Sequence, residues 1–406
     1  MRRRTFLAGA LGALGASALP PRARAAGPLS AEARALLDSA WEGLDPQRVV
    51  DAHVHLVGLG AGGTGCYVNP AMQKPWHLGR WFRYRVYLRA GGVSDEDRAD
   101  AQYLARLTAL AEQRPHGRLL LLALDAVHDE EGRPDLEATE FSTPDAYVLS
   151  VARRRPDLFL PGISIHPYRR DALPALEAGA AAGAVLVKWL PSAQRIDPAS
   201  PRCDAFYARL AELGLPLLVH AGEELAVHAG HGQSLGNPLR LRRALDAGVT
   251  VIGAHCATLG EDQDTDAPPP HPRARSFDLF LRMLRERRER GRLLGDLSGV
   301  VHYNRCWALP ALLGDPALHG QLVNGSDYPL PAVDPVIQLG KLVDQGVLAD
   351  RLRPALRELW HRDVFAFDLA LKRSLTFGGQ RLPASCFMPG WAQRHPAPPA
   401  VARPQE

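Results

Sequence analysis

The chain has 406 residues, 46% of them hydrophobic and 23% charged, a composition that is ordinary for a globular protein with a sizeable core. Its formal net charge is +4, but residues 1–25 hold five arginines and no acidic residue, so the rest of the chain carries a net charge of −1. A chain this close to neutrality offers no electrostatic basis for binding nucleic acid, and we expect no nucleic-acid partner.

The first 25 residues have the composition of an export signal. A basic start with adjacent arginines before Thr-Phe-Leu is followed by an Ala/Gly/Leu stretch (7–19) and a small-residue cleavage site at 23–25. The apolar stretch is shorter than the ~20 residues that a membrane-spanning helix needs, so we expect no stable membrane span. The sequence therefore predicts a twin-arginine signal peptide over 1–25, recognition by the twin-arginine export machinery and a periplasmic location.

Eight short apolar runs recur along the rest of the chain, each followed by a stretch with helical periodicity. Continuous apolar runs are typical of strands buried on both faces, as in a parallel sheet covered by helices. Eight such units predict an α/β fold, a (β/α)8 TIM barrel, as one domain over 26–375. The strands are predicted within 49–56, 118–127, 158–167, 182–191, 215–224, 249–258, 292–301 and 321–330, and helices within 94–113, 144–155, 170–180, 202–213, 238–247, 276–290, 305–313 and 334–346.

Two segments depart from this repeat. Residues 57–92 form a long insertion after the first strand, rich in glycine and aromatic residues, on the face of a barrel where active sites form. We interpret it as a lid or substrate wall, with a packed surface loop as the alternative. At the other end, extra helices are predicted over 349–374, followed by a Pro-rich tail (376–406) with too few apolar residues for a core of its own.

The first strand, VVDAHVHL (49–56), ends in two imidazoles. Because successive side chains of a strand point to opposite faces, we expect Asp51, His53 and His55 on one face. Asp51 lies lower in the barrel and is interpreted as a buried hydrogen-bonding residue rather than a metal ligand.

Four more polar side chains lie at the carboxyl ends of other predicted strands. They are Lys188 in VLVKWLP, His220 in LLVHAG, His255 in VIGAHC and Asp327 in VNGSDYP. This end of a barrel is where side chains from different strands converge, and imidazole and carboxylate are typical ligands of a divalent metal. Glu223 or Glu224 is expected to orient His220, although acids at a helix start explain them equally well.

The motifs DAHVH, VKWLP, LVHAGEE, IGAHC and NGSDYP together resemble the amidohydrolase superfamily of metal-dependent barrel enzymes, over about residues 45–370. The resemblance implies that His53 and His55 bind one metal and that His220 and His255 bind a second. It also implies that Asp327 binds the first metal and handles protons. The divalent metal is expected to be Zn2+, as one or two ions.

Lys188 decides the number of ions, because an ammonium group has three donors and no acceptor and cannot ligate a metal. If the amine loses its proton and captures carbon dioxide, the carbamate can bridge two ions, and we favour this interpretation. The alternative is a single ion held by His53, His55, His220 and Asp327, with the Lys188 ammonium facing a substrate carboxylate.

The function expected from this pattern is hydrolysis of an amide, lactone or ester bond in a small molecule by metal-activated water. A mononuclear non-oxidative decarboxylase of the same superfamily and a non-catalytic periplasmic metal- or solute-binding protein are the alternatives. His128, His166, His302 and Arg305 follow other strands and are predicted to contact the substrate. The sequence leaves the substrate and the oligomeric state open, a homo-oligomer included.

Overall fold

The structure is a computed structural model that describes residues 28–113, 117–228, 232–286, 291–334 and 336–394. The signal peptide predicted over 1–25 and the last part of the predicted tail, 395–406, lie outside the described residues.

Eight parallel strands form a single sheet in which each strand pairs with the next one along the chain. The last strand meets the first through backbone hydrogen bonds: the N–H of Ala52 donates to the carbonyl of Asn324 (3.0 Å), and the N–H of Asp327 donates to that of His53 (2.8 Å). The predicted barrel is confirmed, and each strand lies within its predicted range. The strands are β1 (Val50–His55), β2 (Arg118–Leu122), β3 (Phe159–Ile163), β4 (Leu186–Trp189), β5 (Leu217–His220), β6 (Val251–Ala254), β7 (Leu293–Asp296) and β8 (Leu322–Val323).

Apolar side chains fill the barrel and also cover its outside. The inner cluster takes residues from all eight strands, among them Leu120, Leu218 and Ile252. Alternate residues of the same strands, such as Leu119 and Leu121, pack outward against helices. This division explains the continuous apolar runs of the sequence, since both faces of each strand are buried.

The first strand contains a bulge-like irregularity that the sequence pattern did not reveal. Its pairing register with β2 shifts between Asp51 and Val54. As a result, two consecutive residues of β1 face the barrel interior. Ala52 packs in the inner apolar cluster, and His53 lines the cavity. The prediction that Asp51 shares a face with the histidines is therefore wrong. Asp51 is the predicted hydrogen-bonding residue, because it accepts bonds from the N–H groups of His53 (3.1 Å) and Ser326 (2.8 Å).

Helices surround the sheet, and each predicted helix has a counterpart, shorter by a few residues. The helices are α1 (Ala31–Trp41), α2 (Leu78–Ala90), α3 (Ala99–Glu112), α4 (Asp145–Arg154), α5 (Ala172–Ala181), the single turn α6 (Pro191–Gln194), α7 (Asp204–Leu213), α8 (Arg242–Asp246), α9 (Ser276–Glu286), α10 (Leu309–Leu313), α11 (Leu339–Asp344), α12 (Arg353–Arg362) and α13 (Val364–Ser374). Three helices were not predicted: α1 and α2, which lie outside the regular strand–helix repeat, and the single turn α6.

The insertion after β1 is structured and leans over the carboxyl end of the barrel. Its strand Tyr67–Val68 pairs antiparallel with Phe141–Ser142, in the loop after β2. The hydroxyl of Tyr87, on α2, donates to the carbonyl of Ala226, in the loop after β5 (2.7 Å). The insertion is therefore attached to two different loops at the barrel mouth.

The chain after α13 closes the amino-terminal end of the barrel. The N–H of Val50, at the start of β1, donates to the carbonyl of Phe387 (2.9 Å), and Ala392 joins the inner apolar cluster. The predicted extra helices are α12 and α13, both of which contact α1. In the described part of the chain, no helix is long and apolar enough to cross a bilayer.

Candidate metal centre

The six residues predicted as metal ligands line one cavity at the carboxyl end of the barrel. They are His53 and His55 on β1, Lys188 on β4, His220 at the end of β5, His255 just after β6 and Asp327 in the loop after β8. Five of these side chains are buried, and that of His55 is 29% exposed. The barrel topology brings them together from distant parts of the chain, as parallel strands with a common carboxyl end must.

Three of these side chains have the spacing of ligands around one ion. Asp327 Oδ1 lies 3.2 Å from His55 Nε2 and 3.6 Å from His53 Nε2. Zinc binds N and O ligands at ~2.0–2.1 Å, and the corners of a tetrahedron of that radius are about 3.3–3.4 Å apart. The observed separations bracket this value, so His53, His55 and Asp327 fit a divalent ion without a change of fold.

An aspartate that the sequence analysis missed orients His53. Asp296, the last residue of β7, is buried and lies 2.7 Å from His53 Nδ1 through its Oδ2 atom. This contact assigns the ring proton to Nδ1 and leaves Nε2, the atom facing Asp327, free to accept. The sequence did contain a signal for Asp296. Like Asp327, it is an acidic residue at the end of an apolar run, here the seventh one (LLGD).

Ser298 links His53 to His255 beneath the ligand atoms. Its Oγ atom lies 3.0 Å from His53 Nδ1 and 2.8 Å from His255 Nδ1, and it donates to the Asp296 carboxylate. His255 Nδ1 also lies 2.9 Å from the carbonyl of Ser298. His53, His255 and Asp296 are close enough to form a second ligand group. Because the serine hydroxyl occupies the space between them, we interpret them as a hydrogen-bonded support.

His220 contacts both of the glutamates considered from the sequence, and its Nε2 lies 3.4 Å from the backbone carbonyl of Glu223. Glu224 Oε2 lies 3.2 Å from His220 Nδ1, and both side chains are buried. The His220 and His255 rings are 5.1 Å apart, so the pair predicted for a second ion is adjacent in space.

Lys188 lies in the middle of this cluster, with Nζ 3.3 Å from His53 Nε2. The side chain is buried, and burial lowers its pKa to about 8, although the nearby carboxylates Asp296 and Asp327 oppose the shift. A lysine with this pKa has a substantial neutral fraction near pH 8, which carbamate formation requires.

Burial keeps the imidazoles neutral and therefore able to bind a metal. It lowers the pKa of His53 to about 4, assisted by the charge of Lys188. Burial also lowers the pKa of His220 and, further, that of His255. For Asp327 burial acts in the opposite direction, but the surrounding imidazoles overcome it and hold the pKa well below its usual range.

Two of the ligand positions have unusual backbone conformations. Asp327 and His255 both have positive φ, at 66° and 55°. A residue other than glycine adopts this region at a cost of about 1–3 kcal/mol, and such residues concentrate at functional sites. Here the conformation points both side chains into the cavity instead of along the strand direction.

Above the polar floor, the cavity is walled mainly by apolar side chains and has a volume of about 300 Å³. The insertion after β1 supplies much of the wall, including Val68, Met72 and Tyr87, and Leu225 and Val227 contribute from the loop after β5. Residues of 57–92 thus form a wall of the cavity that holds the predicted metal ligands, and their contact with a substrate stays a prediction.

The four residues predicted to contact substrate separate into two pairs. His302 and Arg305 line the cavity. His128 and His166 do not, and the prediction for them is corrected. His166 Nε2 contacts the carbonyl of Gln194 (2.9 Å) and His166 Nδ1 accepts the N–H of Tyr168 (3.2 Å), so this ring is a structural residue. The ring of His128 lies beside it at a tilt of 46°, with 4.9 Å between the ring centroids.

No protein-family model and no curated protein matches this chain. Among solved structures, an uncharacterised TIM-barrel protein from Bordetella bronchiseptica has 15% identity and a TM-score of 0.47, covering 79% of this chain and 99% of its own. The 5-carboxyvanillate decarboxylase of Sphingomonas paucimobilis has 10% identity and a TM-score of 0.49, with coverage of 86% and 98%.

A third match is the N-isopropylammelide isopropylaminohydrolase of Burkholderia multivorans, with 18% identity, a TM-score of 0.39 and coverage of 86% and 82%. The matched structures thus include a hydrolase and a decarboxylase. Similarity at this level does not transfer an activity from one chain to another.

Proposed function

We propose that this protein is a metal-dependent hydrolase of the amidohydrolase type, acting on an amide, lactone or ester bond of a small molecule. The observation that carries the proposal is the spacing of His53 Nε2, His55 Nε2 and Asp327 Oδ1 at the floor of a mostly apolar cavity. Neutral imidazoles and an ionised carboxylate are the protonation states that ligation needs.

The residues present fit one or two divalent ions, with Zn2+ as the first candidate. His53, His55 and Asp327 would hold the first ion, and His220 and His255 the second, with carboxylated Lys188 between them. The central position of Lys188 Nζ, 3.3 Å from His53 Nε2, supports this arrangement. When bound, such ions would supply Lewis acidity and activate water at neutral pH.

The chain's own residues provide the proton transfer and the surroundings. Asp327 is buried and ionised, so its carboxylate can take the proton of the attacking water and return it to the leaving group. Asp296 and Glu224 fix the rings of His53 and His220 through their Nδ1 atoms. The apolar walls limit bulk water and so strengthen the electrostatic interactions at the floor.

Non-oxidative decarboxylation with a single ion is the second candidate. It would use the same His53, His55 and Asp327 group but would leave Lys188 as an ammonium, beside the position of a substrate carboxylate. A binding protein without catalytic activity is less well supported, because structural zinc sites are closed whereas this site faces a cavity. The location we propose is the periplasm, reached through the predicted twin-arginine signal.

The test combines turnover with metal content. The native protein should hydrolyse at least one member of a panel of small amides, lactones and esters, and Asp327→Asn should retain most of the metal while losing most of the rate. His128→Ala is the matched control, since His128 lies outside the cavity, and it should keep both metal and rate. Release of carbon dioxide from aromatic carboxylic acids assayed beside the panel, without hydrolysis of any panel member, would support the decarboxylase. No turnover of either set by fully metal-loaded protein would contradict both enzymes.

A further inference from the structure

The cavity is apolar except at its floor, but it contains a second, separate polar feature. Among the described residues that line it, one is a lysine, Lys188, and one is an arginine, Arg305. Lys188 lies within the histidine cluster, where it contacts His53. Arg305 comes from the loop after β7. Among the described residues, it makes no hydrogen bond or ion pair with a predicted metal ligand.

Arg305 is buried but has no acidic partner at ion-pair distance among the described residues. Arg305 is only 7% exposed, and its guanidinium donates one hydrogen bond, from Nη1 to Thr258 Oγ1 (3.2 Å). A guanidinium has five N–H donors, so most of them are left without a protein acceptor. Elsewhere in the barrel mouth arginines are paired: Arg83, for example, lies 2.9 Å from Glu140 Oε1.

A second buried polar group in the same loop also lacks a partner. His302 is 5% exposed, lines the cavity and has no hydrogen-bond partner at Nε2. It lies one turn before Arg305, whose backbone N–H donates to the His302 carbonyl (2.9 Å). Unpaired buried polar groups are costly, and the ones that persist in cavities are commonly satisfied by a ligand.

We propose that Arg305, with His302 beside it, binds the single anionic group of a substrate whose remaining body is apolar. This inference rests on the proposed function, since it takes the cavity as the active site. A carboxylate is the group that matches a guanidinium best, because two parallel N–H donors reach its two oxygens.

The charges around the cavity favour one negative charge on the substrate. Arg305 is the one arginine among the described residues that line it, so a single carboxylate on the substrate matches the free guanidinium. The second charge of a dianion such as a phosphate monoester would face the Glu224 carboxylate, which is not among the proposed metal ligands. The volume of about 300 Å³ lies at the lower end of the usual range of ligand pockets, ~300–1,000 Å³, and suits a small molecule. Met72 and Tyr87 on the wall suit its apolar part.

The experiment compares an acid with a neutral ketone of nearly the same shape. Titration calorimetry of the purified native protein would use 3-phenylpropanoate and 4-phenyl-2-butanone, neither of which can be hydrolysed. We expect the acid to bind at least about tenfold more tightly, since a hydrogen bond to a charged group contributes ~1.5–3 kcal/mol. Equal affinity for the two compounds would overturn the proposal without reference to any variant.

Variants then assign the preference to Arg305. Arg305→Gln should remove most of the preference for the acid and leave the ketone's affinity unchanged, and Arg305→Lys, which keeps the charge, should lose less. Arg85→Gln, which alters an exposed arginine paired with Glu96, is the control and should bind like the native protein. An acid held by a metal ion instead would keep its affinity in both Arg305 variants, and that result would overturn the proposal.

This outcome is separable from failure of the proposed function. A native protein that contains no divalent ion would contradict the hydrolase proposal. An acid preference that disappears in Arg305→Gln would still support the anion site, because the readout is binding and does not require turnover.

Discussion

The rings of two predicted metal ligands are held by neighbouring carboxylates, that of His53 by Asp296 and that of His220 by Glu224. His53 is buried, and Asp296 fixes its ring through Nδ1. The sequence identified the residues of the first group, His53, His55 and Asp327, because their positions at strand ends resemble a known pattern. Asp296 was missed although its position at the end of the seventh apolar run was a usable signal. Ser298 was missed because its supporting role depends on a contact with His53, 245 residues away, which no local pattern contains.

At this scale, Asp296→Asn tests the support of the metal ligand. We expect metal affinity to fall about 10–100-fold, because the amide neither stabilises the Nδ1–H of His53 nor fixes its orientation as the carboxylate does. Competition with a chromogenic chelator measures the affinity. Asp278→Asn, at an exposed ion pair with Arg275, is the control, and an unchanged affinity in Asp296→Asn would contradict the role of Asp296.

The state of Lys188 leads to a prediction about pH. Carbon dioxide reacts with the neutral amine, and the pKa of Lys188 is lowered by burial to about 8, so the neutral fraction rises with pH up to about 8 and changes little above it. At a fixed concentration of dissolved carbon dioxide, the neutral amine that reacts should therefore be about eightfold more abundant at pH 7.5 than at pH 6.5 in metal-free protein, and the amount of carbamate should rise with it.

The measurement for this prediction is the 13C NMR signal of the carbamate carbon after labelling with 13C-bicarbonate. Lys188→Arg should show no such signal. A native protein that gives no carbamate signal at any pH, with one ion per chain, would favour the single-ion arrangement.

At the scale of elements, the regular parts of the barrel were predictable and the irregular parts were not. The strands were found because burial on both faces leaves continuous apolar runs in the sequence. The irregularity in β1 was missed because register depends on the partner strand, and it reverses the expected face of Asp51. Helix α2 was missed because its sequence, LGRWFRYRVYLRA, buries little more than Tyr84 and Ala90 and has no clear apolar stripe.

Helix α13 braces the turn that carries Asp327. Lys372 is fully buried, and its Nζ donates to the carbonyl of Gly325 (2.5 Å) and to Asp368 Oδ2 (2.8 Å). Gly325 has no room for a side chain, since an added Cβ would lie 2.7 Å from both Asp296 and His53. The turn is therefore held between the helix on one side and the site on the other.

We expect Lys372→Met to destabilise the protein by ~3–5 kcal/mol, because it leaves the Asp368 carboxylate buried without a partner. The double variant Lys372→Met/Asp368→Leu should recover much of this loss, since it removes the unpaired charge. Urea unfolding measures both. Arg133→Met, at an exposed ion pair with Asp129, is the control and should change stability far less. If Lys372→Met and Arg133→Met were equally stable, the bracing role of Lys372 would be contradicted.

For the whole molecule, the barrel is what creates the site, since His55 and Asp327 are 272 residues apart in sequence and 3.2 Å apart in space. The fold class followed from the count and order of the apolar runs. The cavity's shape did not, because it depends on how the insertion after β1 and the loop after β7 pack above the barrel. His302 and Arg305 were predicted from the sequence as residues near the substrate, but the lack of protein partners for Arg305 and for His302 Nε2 required the structure. For the insertion 57–92, the sequence predicted only the position at the barrel mouth and did not identify the side chains that line the cavity.

Removal of the metal should lower the stability of the whole domain. An ion that binds only the folded state contributes about 4 kcal/mol at a thousandfold excess over its dissociation constant. A chelator should therefore lower the thermal midpoint by several degrees in the native protein and in His128→Ala. The shift should be clearly smaller in the double variant His53→Ala/His55→Ala, which lacks the first group of ligands but keeps His220 and His255, and an equal shift in that variant would place the ion elsewhere.

The most direct test of the central claim is a crystal structure of the natively purified protein with anomalous data collected at the absorption edge of the bound metal. Our account predicts an anomalous peak within bonding distance of His53 Nε2, His55 Nε2 and a carboxylate oxygen of Asp327. Absence of any peak in that cavity, or a peak bound by other side chains, would contradict it.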